Sequence, residues 1–536
     1  MFRGTTGRPA VPVPPPVTGP VLPGLYPDPS VVRVGTDYYL ATPTFEWYPG
    51  VRVHHSRDLV HWRSLGGILT DRRLLDLTGV EDSAGVRSPC LSWADDLFHL
   101  AFTHLPGVAG GYRDPQNYVL TAPWITGPWS DPVPVHAHGA DPSLFHDDDG
   151  STWLLAVHAD WRPGRDRTAG IEIQRYDRTA GRAIGPVRLI LRGTAGTTGG
   201  PRLYRRGNWH YLVTGGSRAD GTPRVSVARS RDLLGPYRLD PAGPLLTAVT
   251  RPGLPASRAG HGSLVATPDD RWYLAYPAGR PDPAPGAGAP GREAALQPVR
   301  WTVDGWPRVN GGGPVGTAPA PDLPSGSVEP EVDDFDAPTL GPMWSTLRRP
   351  ATPDWVSLTA RRSHLRIAGG QSPAGRHRPS LVARPVTDPN FLLTAVLEFR
   401  PATYRQLAGV TGYHDSRNWH YAYVTATDAG DRILEVLSCA SGRLVPHPEA
   451  TVRLGERARI GLRIRFAGPV LRFGCDLGDG WRDLPPVLDA SILADRPAGA
   501  GGAGAFAGLW VQDIGADGGY ADVDSVTCRT GPAARY

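Results

Sequence analysis

Residues 26–42 read "YPDPSVVRVGTDYYLAT". Asp28, Pro29 and Ser30 are turn formers, and Gly35-Thr36 is a second turn. Between and after them lie short apolar and aromatic runs with strand preference. The same grammar returns at Ser88-Pro89-Cys90-Leu91, Asp141-Pro142-Ser143-Leu144, Gly200-Pro201-Arg202-Leu203 and His261-Gly262-Ser263-Leu264. From Asp28 onward the openings begin 60, 53, 59 and 61 positions apart. The second strands also match: "TDYYLAT", "DLFHLAF", "STWLLAV", "NWHYLVT" and "RWYLAY". A fixed period of roughly 50–60 residues with about four short strands is the size of a propeller blade.

Five blades around an axis leave a narrow funnel, and each opening begins an innermost strand. Its first residue then faces the funnel, so positions scattered over the first half of the chain converge on one pocket. A single Asp-Pro-Ser is also ordinary turn chemistry. Two Asp residues at the same place in units one and three favour convergence.

The composition agrees with an all-β reading. Among 536 residues, 66 Gly and 57 Pro favour turns over long helices. Every basic residue is Arg, and a net charge of +4 without a basic run argues against a nucleic-acid partner. Cys90, Cys439, Cys475 and Cys528 match no zinc spacing and read as buried free thiols. The start, "MFRGTTGRPAVPVPPPVTGP", lacks the apolar region of a signal peptide, and no run is long enough to span a membrane. A cytoplasmic protein without membrane partners is the expectation.

The chain divides into a disordered segment 1–19, a five-bladed propeller over 20–310, a Pro/Gly-rich linker 311–330 and a β-sandwich over 331–536. The tract "PDPAPGAGAP" (281–290) reads as an excursion loop of the fifth unit. In the sandwich, "EVDDFD" and "YADVDSV" could meet on neighbouring strands and hold Ca²⁺, or be solvated acidic strand ends.

The stretches "PVLPGLYPDPSVVRVGTDYYLATPTFEWYPGVRVHHSRDLVHWRSLG", "ADPSLFHDDDG", "GHGSLVATPDDRWYLAYPAGRP", "GREAALQPVRWTVDGWPRV" and "DSRNWHYAYVT" closely resemble family 43 glycoside hydrolases. The nearest match is the β-xylosidase branch with a concanavalin-like C-terminal sandwich. The resemblance implies a sugar pocket at the funnel mouth and inverting hydrolysis of xylosides or arabinofuranosides in oligosaccharides. Inversion uses a base and an acid on opposite faces of the sugar, about 6.5–9.5 Å apart. By motif, Asp28 is the base and Asp141 the third carboxylate, which orients the acid and raises its pKa. Arg292 binds sugar hydroxyls. Phe45 is an apolar wall of the pocket or ordinary core. His261 matches an axial histidine that often sits by an ion or water. It reads equally as a hydrogen-bonded core histidine and as a ligand near which Ca²⁺ could sit. No cofactor is otherwise required, and nothing fixes the oligomeric state.

One element is missing. The family's "TEGPHLY" carries the acid, but here the aligned residues are "TGGPRLY" (198–204), with Gly199 in the acid's place. Arg87 in "GVRSP" replaces a sugar-stacking Trp, "AEGG" becomes Gly215-Gly216 with loss of a Glu, and Gly502 stands where some relatives insert an aromatic. Asp220 is a candidate substitute acid or a plain turn residue. Arg87 and Arg202 make the pocket more cationic, suiting an acidic sugar, or else face solvent. The expectation is therefore a family hydrolase with an altered or relocated acid, or a non-catalytic sugar-binding relative.

Overall fold

A computed structural model describes the chain except for residues 1–15, 19, 110–113, 166–167, 194–195, 248–259, 280–290, 310–316, 320–330, 495–503 and 536. The 281–290 tract, most of the expected linker and Gly502 lie outside the described residues. Among the described residues the regular structure is β-strand, apart from three short 3₁₀ turns.

The first half is a five-bladed propeller. Each blade is a four-stranded antiparallel meander running outward from the axis. The innermost strands are Ser30–Val34, Gly85–Ala94, Ser143–His146, Thr197–Arg206 and Ser263–Ala266. Blade 4 gains a fifth short strand, Leu246–Thr247. Aromatic and branched residues line both faces of each blade, because both are covered by neighbours.

Apolar seams close the ring. Val53 and Leu100 share the seam of blades 1 and 2, and Cys90 and Leu154 that of blades 2 and 3. Phe145 packs with Leu212 between blades 3 and 4, Val227 with Leu274 between blades 4 and 5, and Val31 with Val265 between blades 5 and 1. Polar bonds tie the inner strands as well. Ser30 Oγ accepts from Leu91 N at 2.9 Å, Ser263 Oγ from Val31 N at 3.1 Å, and Tyr204 Oη from Leu264 N at 2.8 Å. The repeat is also visible in the backbone. Asp28, Ser88, Asp141 and Gly200 are left-handed, with φ of 47°, 46°, 59° and 51°. Three of the four are not glycine, although that conformation costs a side-chain-bearing residue about 1–2 kcal/mol.

The second half is a sandwich of two nine-stranded sheets around one core, including Leu365, Leu393, Leu462, Phe473 and Val523. One sheet borrows from the propeller. Trp47–Tyr48, in the excursion after Thr42, pairs antiparallel with Thr346 and Leu347. Trp47 is fully buried and stacks on Phe506, with centroids 3.9 Å apart and planes at 13°. Arg348, itself fully buried, donates to Val80 O at 2.7 Å and to Asp82 at 2.5 Å. A further ribbon pairs Pro16–Thr18 with Thr317–Pro319, joining the chain before the first blade to the chain after the fifth.

The two acidic segments of the sandwich do meet, since Asp333 pairs with Val526. Their carboxylates are engaged by donors of the chain. Asp333 accepts from Phe335 N and Trp344 Nε1, Asp522 from Arg366 and Arg361, and Asp524 from Arg459. The four cysteines are free thiols, three of them buried and Cys528 half-buried. No helix among the described residues is long and apolar enough to cross a membrane.

Candidate active site

The left-handed turns bring Asp28 and Asp141 to the same pocket, on opposite edges of the His261 ring. Nδ1 of His261 lies 3.7 Å from Asp28 Oδ1, and Nε2 lies 3.8 Å from Asp141 Oδ2. Asp28 is buried. Burial pushes its carboxyl up, but His261, Arg292, Arg87 and Arg202 outweigh that and hold it below the ordinary carboxylate range. The group therefore stays ionised at neutral pH, as a base must. Asp141 accepts from Gly200 N at 2.8 Å, and its own N–H donates to Thr103 Oγ1 at 3.1 Å. Thr103 Oγ1 in turn donates to Asn117 Oδ1, so blade 2 buttresses the Asp141 turn.

Phe45, expected as an apolar wall or as core, packs in the buried cluster that includes Trp47, Phe506 and Trp510. It is fully buried, left-handed at φ 55°, and bridged to Val86 by two backbone bonds. That bridge places Arg87 beside its ring. The guanidinium carbons of Arg87 and Arg292 stand 5.1 and 5.9 Å from the Phe45 centroid, within cation–π reach. Arg292 is carried to this position because Tyr26 N donates to Arg292 O at 2.7 Å, pairing the approach to Asp28 with the fifth blade. Arg87 also donates to Ser83 O.

A side chain at Gly199 would enter the same space. Its Cβ would lie 2.7 Å from Asp141 Oδ2 and 3.9 Å from His261 Nε2. The place where the resemblance puts an acid is thus beside these two groups, and Asp141 Oδ2 stands within that space. Gly199 has no positive φ, so its backbone admits a side chain once Asp141 shifts. A Cβ at Gly215 would fall 1.6 Å from Gly260 O, so that strand abuts the backbone leading to His261.

For two residues the sequence left alternatives open, and their contacts are as follows. Asp220 is exposed and accepts from Thr222 N at 2.9 Å, closing its own turn. Arg202 does not face solvent. It is buried and crosses the axis from blade 4, with Nη1 donating to Ser30 Oγ at 2.9 Å and Nη2 to Pro89 O at 3.0 Å. Thr103, Asn117 and Ser30 were not foreseen as site supports. Only Ser30 carries a sequence signal, as the third residue of a repeated opening.

Paired Asp carboxylates flanked by His261 and three arginines, on a propeller fused to a sandwich, suit a glycoside hydrolase. The chain belongs to glycosyl hydrolases family 43, whose model matches residues 17–307. Residues 332–529 match the beta xylosidase C-terminal concanavalin A-like domain. The chain is 37% identical to a xylan 1,3-beta-xylosidase of Vibrio sp, covering 95% of this chain and 98% of that one. It is 38% identical to xylosidase/arabinosidase 43B of Humicola insolens, covering 93% and 94%. The solved xylan beta-1,4-xylosidase of Bacillus halodurans C-125 superposes with a TM-score of 0.92 at 39% identity, over 96% of this chain and 100% of that one. The protein is an O-glycosyl hydrolase by this membership.

Proposed function

We propose that the funnel hydrolyses glycosides by inversion with Asp28 as base, in the manner of the β-xylosidases and arabinofuranosidases it resembles. In this reading Asp28 activates water, Arg292 and Phe45 position the sugar, and Asp141 supports the leaving-group side. That side has no dedicated acid. The observation that carries the reading is an ionised Asp28 gathered with Asp141 on the two edges of His261, with no side chain at Gly199 beside them.

A positioned acid contributes about 10²–10⁴ in rate. Alkoxide leaving groups need that proton, whereas aryl leaving groups of low pKa need it far less. Turnover of aryl glycosides that disappears in Asp28→Asn is therefore expected, with weak turnover of alkyl glycosides. Gly199→Glu should raise the alkyl rate by about 10²-fold or more, with little gain on aryl substrates. An aryl rate unaffected by Asp28→Asn would refute the base assignment. An unchanged alkyl rate in Gly199→Glu would refute the one-residue account. The second reading, a sugar-binding relative without turnover, is favoured by Asp220 being exposed and held in its own turn, and it predicts binding without an Asp28-dependent rate.

The residues round His261 do not fit a calcium ion. Calcium takes about six to eight oxygen ligands. Among the described residues the nearby carboxylates are Asp28 and Asp141, and Asp28 is surrounded by Arg87, Arg202 and Arg292. No step here runs through an ion, and chelation with EDTA is expected to leave rate and melting temperature unchanged.

A further inference from the structure

The pocket carries more positive charge than the proposed chemistry uses. Arg87, Arg202 and Arg292 surround Asp28, with Asp141 as the second carboxylate. Arg202 has its partners on the axis, Ser30 and Pro89. Among the described residues no carboxylate is bonded to Arg87; it donates to Ser83 O, and its Nε is buried without an acceptor there. It shares the Phe45 ring with a second cation, Arg292. Burial and then Arg292 push the Arg87 guanidinium down, a cost that an anion seated against it would relieve.

Arg87 and Gly199 occupy equivalent places. Each precedes a left-handed residue, Ser88 or Gly200, and each stands at a break in the ladder to the second strand of its blade. Blade 2 thus offers a cation to the pocket at the position where blade 4 offers no side chain. The nearest atoms to the volume a side chain at 199 would fill belong to Asp141 and His261. The guanidinium edge is a planar donor fork that matches a carboxylate in two parallel bonds.

We propose that this pocket selects a glycoside whose sugar ring bears a carboxylate, a hexuronide, and that Arg87 is the residue that pairs with it. The inference rests on the funnel being the sugar site and replaces a neutral pentose by a charged ring as the preferred glycone.

Calorimetry on the full chain tests it, using methyl glucuronide and methyl galacturonide, their uncharged amides, and methyl xyloside. At low ionic strength at least one uronide should bind about tenfold more tightly than its amide, the value of one charge-assisted pairing. Added salt should narrow the gap. Arg87→Gln should bring uronide and amide within about threefold of each other. Equal binding of both uronides and their amides by the wild type overturns the proposal without the variant. Tighter binding of the xyloside than of either uronide overturns it while leaving the funnel reading intact. Absence of any sugar binding overturns both.

Discussion

Arg202 shows how one side chain can set the chemistry of another. It is buried on the propeller axis, bonded to a hydroxyl and a carbonyl, and its charge favours the ionised form of Asp28. Arg202→Met should therefore raise the Asp28 pKa. Activity that needs the carboxylate would then fade at a higher pH on the acid limb, with the limb moving toward neutrality. A pH profile of kcat/KM on an aryl glycoside measures this, and an unmoved limb would show that Arg202 only fills space. The two aspartates were legible in the sequence because Asp-Pro-Ser recurs in phase. The direction of Arg202 was not. An arginine in a strand can snorkel outward or lie along an axis, and only the packing of blades 1, 2 and 4 around it decides.

At the scale of the element, the decisive piece is the excursion over Thr44–Tyr48. It bridges Phe45 to Val86 of the second blade, next to Arg87, and pairs Trp47 and Tyr48 with the sandwich, and both Phe45 and Trp47 are buried in one cluster. Trp47 sits in a fully buried aromatic cluster with Tyr413, Phe506 and Trp510. Trp47→Ala should cost about 3–5 kcal/mol in urea denaturation, the range for deleting a buried large aromatic. It should also weaken sugar binding through Phe45. A cost below about 1 kcal/mol would mean that the two halves are not cohesive at this joint. The blades themselves were legible, since each is a local meander of antiparallel strands with turn signals between them. The pairing of residue 48 with residue 346 left no such signal, because two- and three-residue strands have no period to read.

For the whole molecule, the joint between propeller and sandwich holds a buried acid. Glu46 accepts from Ser83 N at 3.0 Å and lies near Arg348 and Asp82. Burial raises its pKa from 4.5 to about 7, Arg348 opposing and Asp82 assisting. A carboxyl raised in the folded state gives stability that is full below its unfolded pKa and is lost as pH rises through the folded value. Stability should thus fall between roughly pH 4.5 and 7, by on the order of 3 kcal/mol from this group. Glu46→Gln should flatten that fall. Melting temperatures of both proteins from pH 5 to 8 check it, and parallel curves would show that Glu46 does not titrate in this window.

The amino-acid sequence alone determined the five repeats, the sandwich after them, the family and the absence of a carboxylate at Gly199. These follow from local periodicity and from motifs that survive without coordinates. Only the tertiary structure decided that Asp141 leans into the room beside Gly199, that Asp220 closes a turn, and that Arg202 crosses the axis. It also decided that Arg87 lies against Phe45. Each depends on contacts between residues far apart in the chain, where the direction of a side chain is fixed by what packs around it.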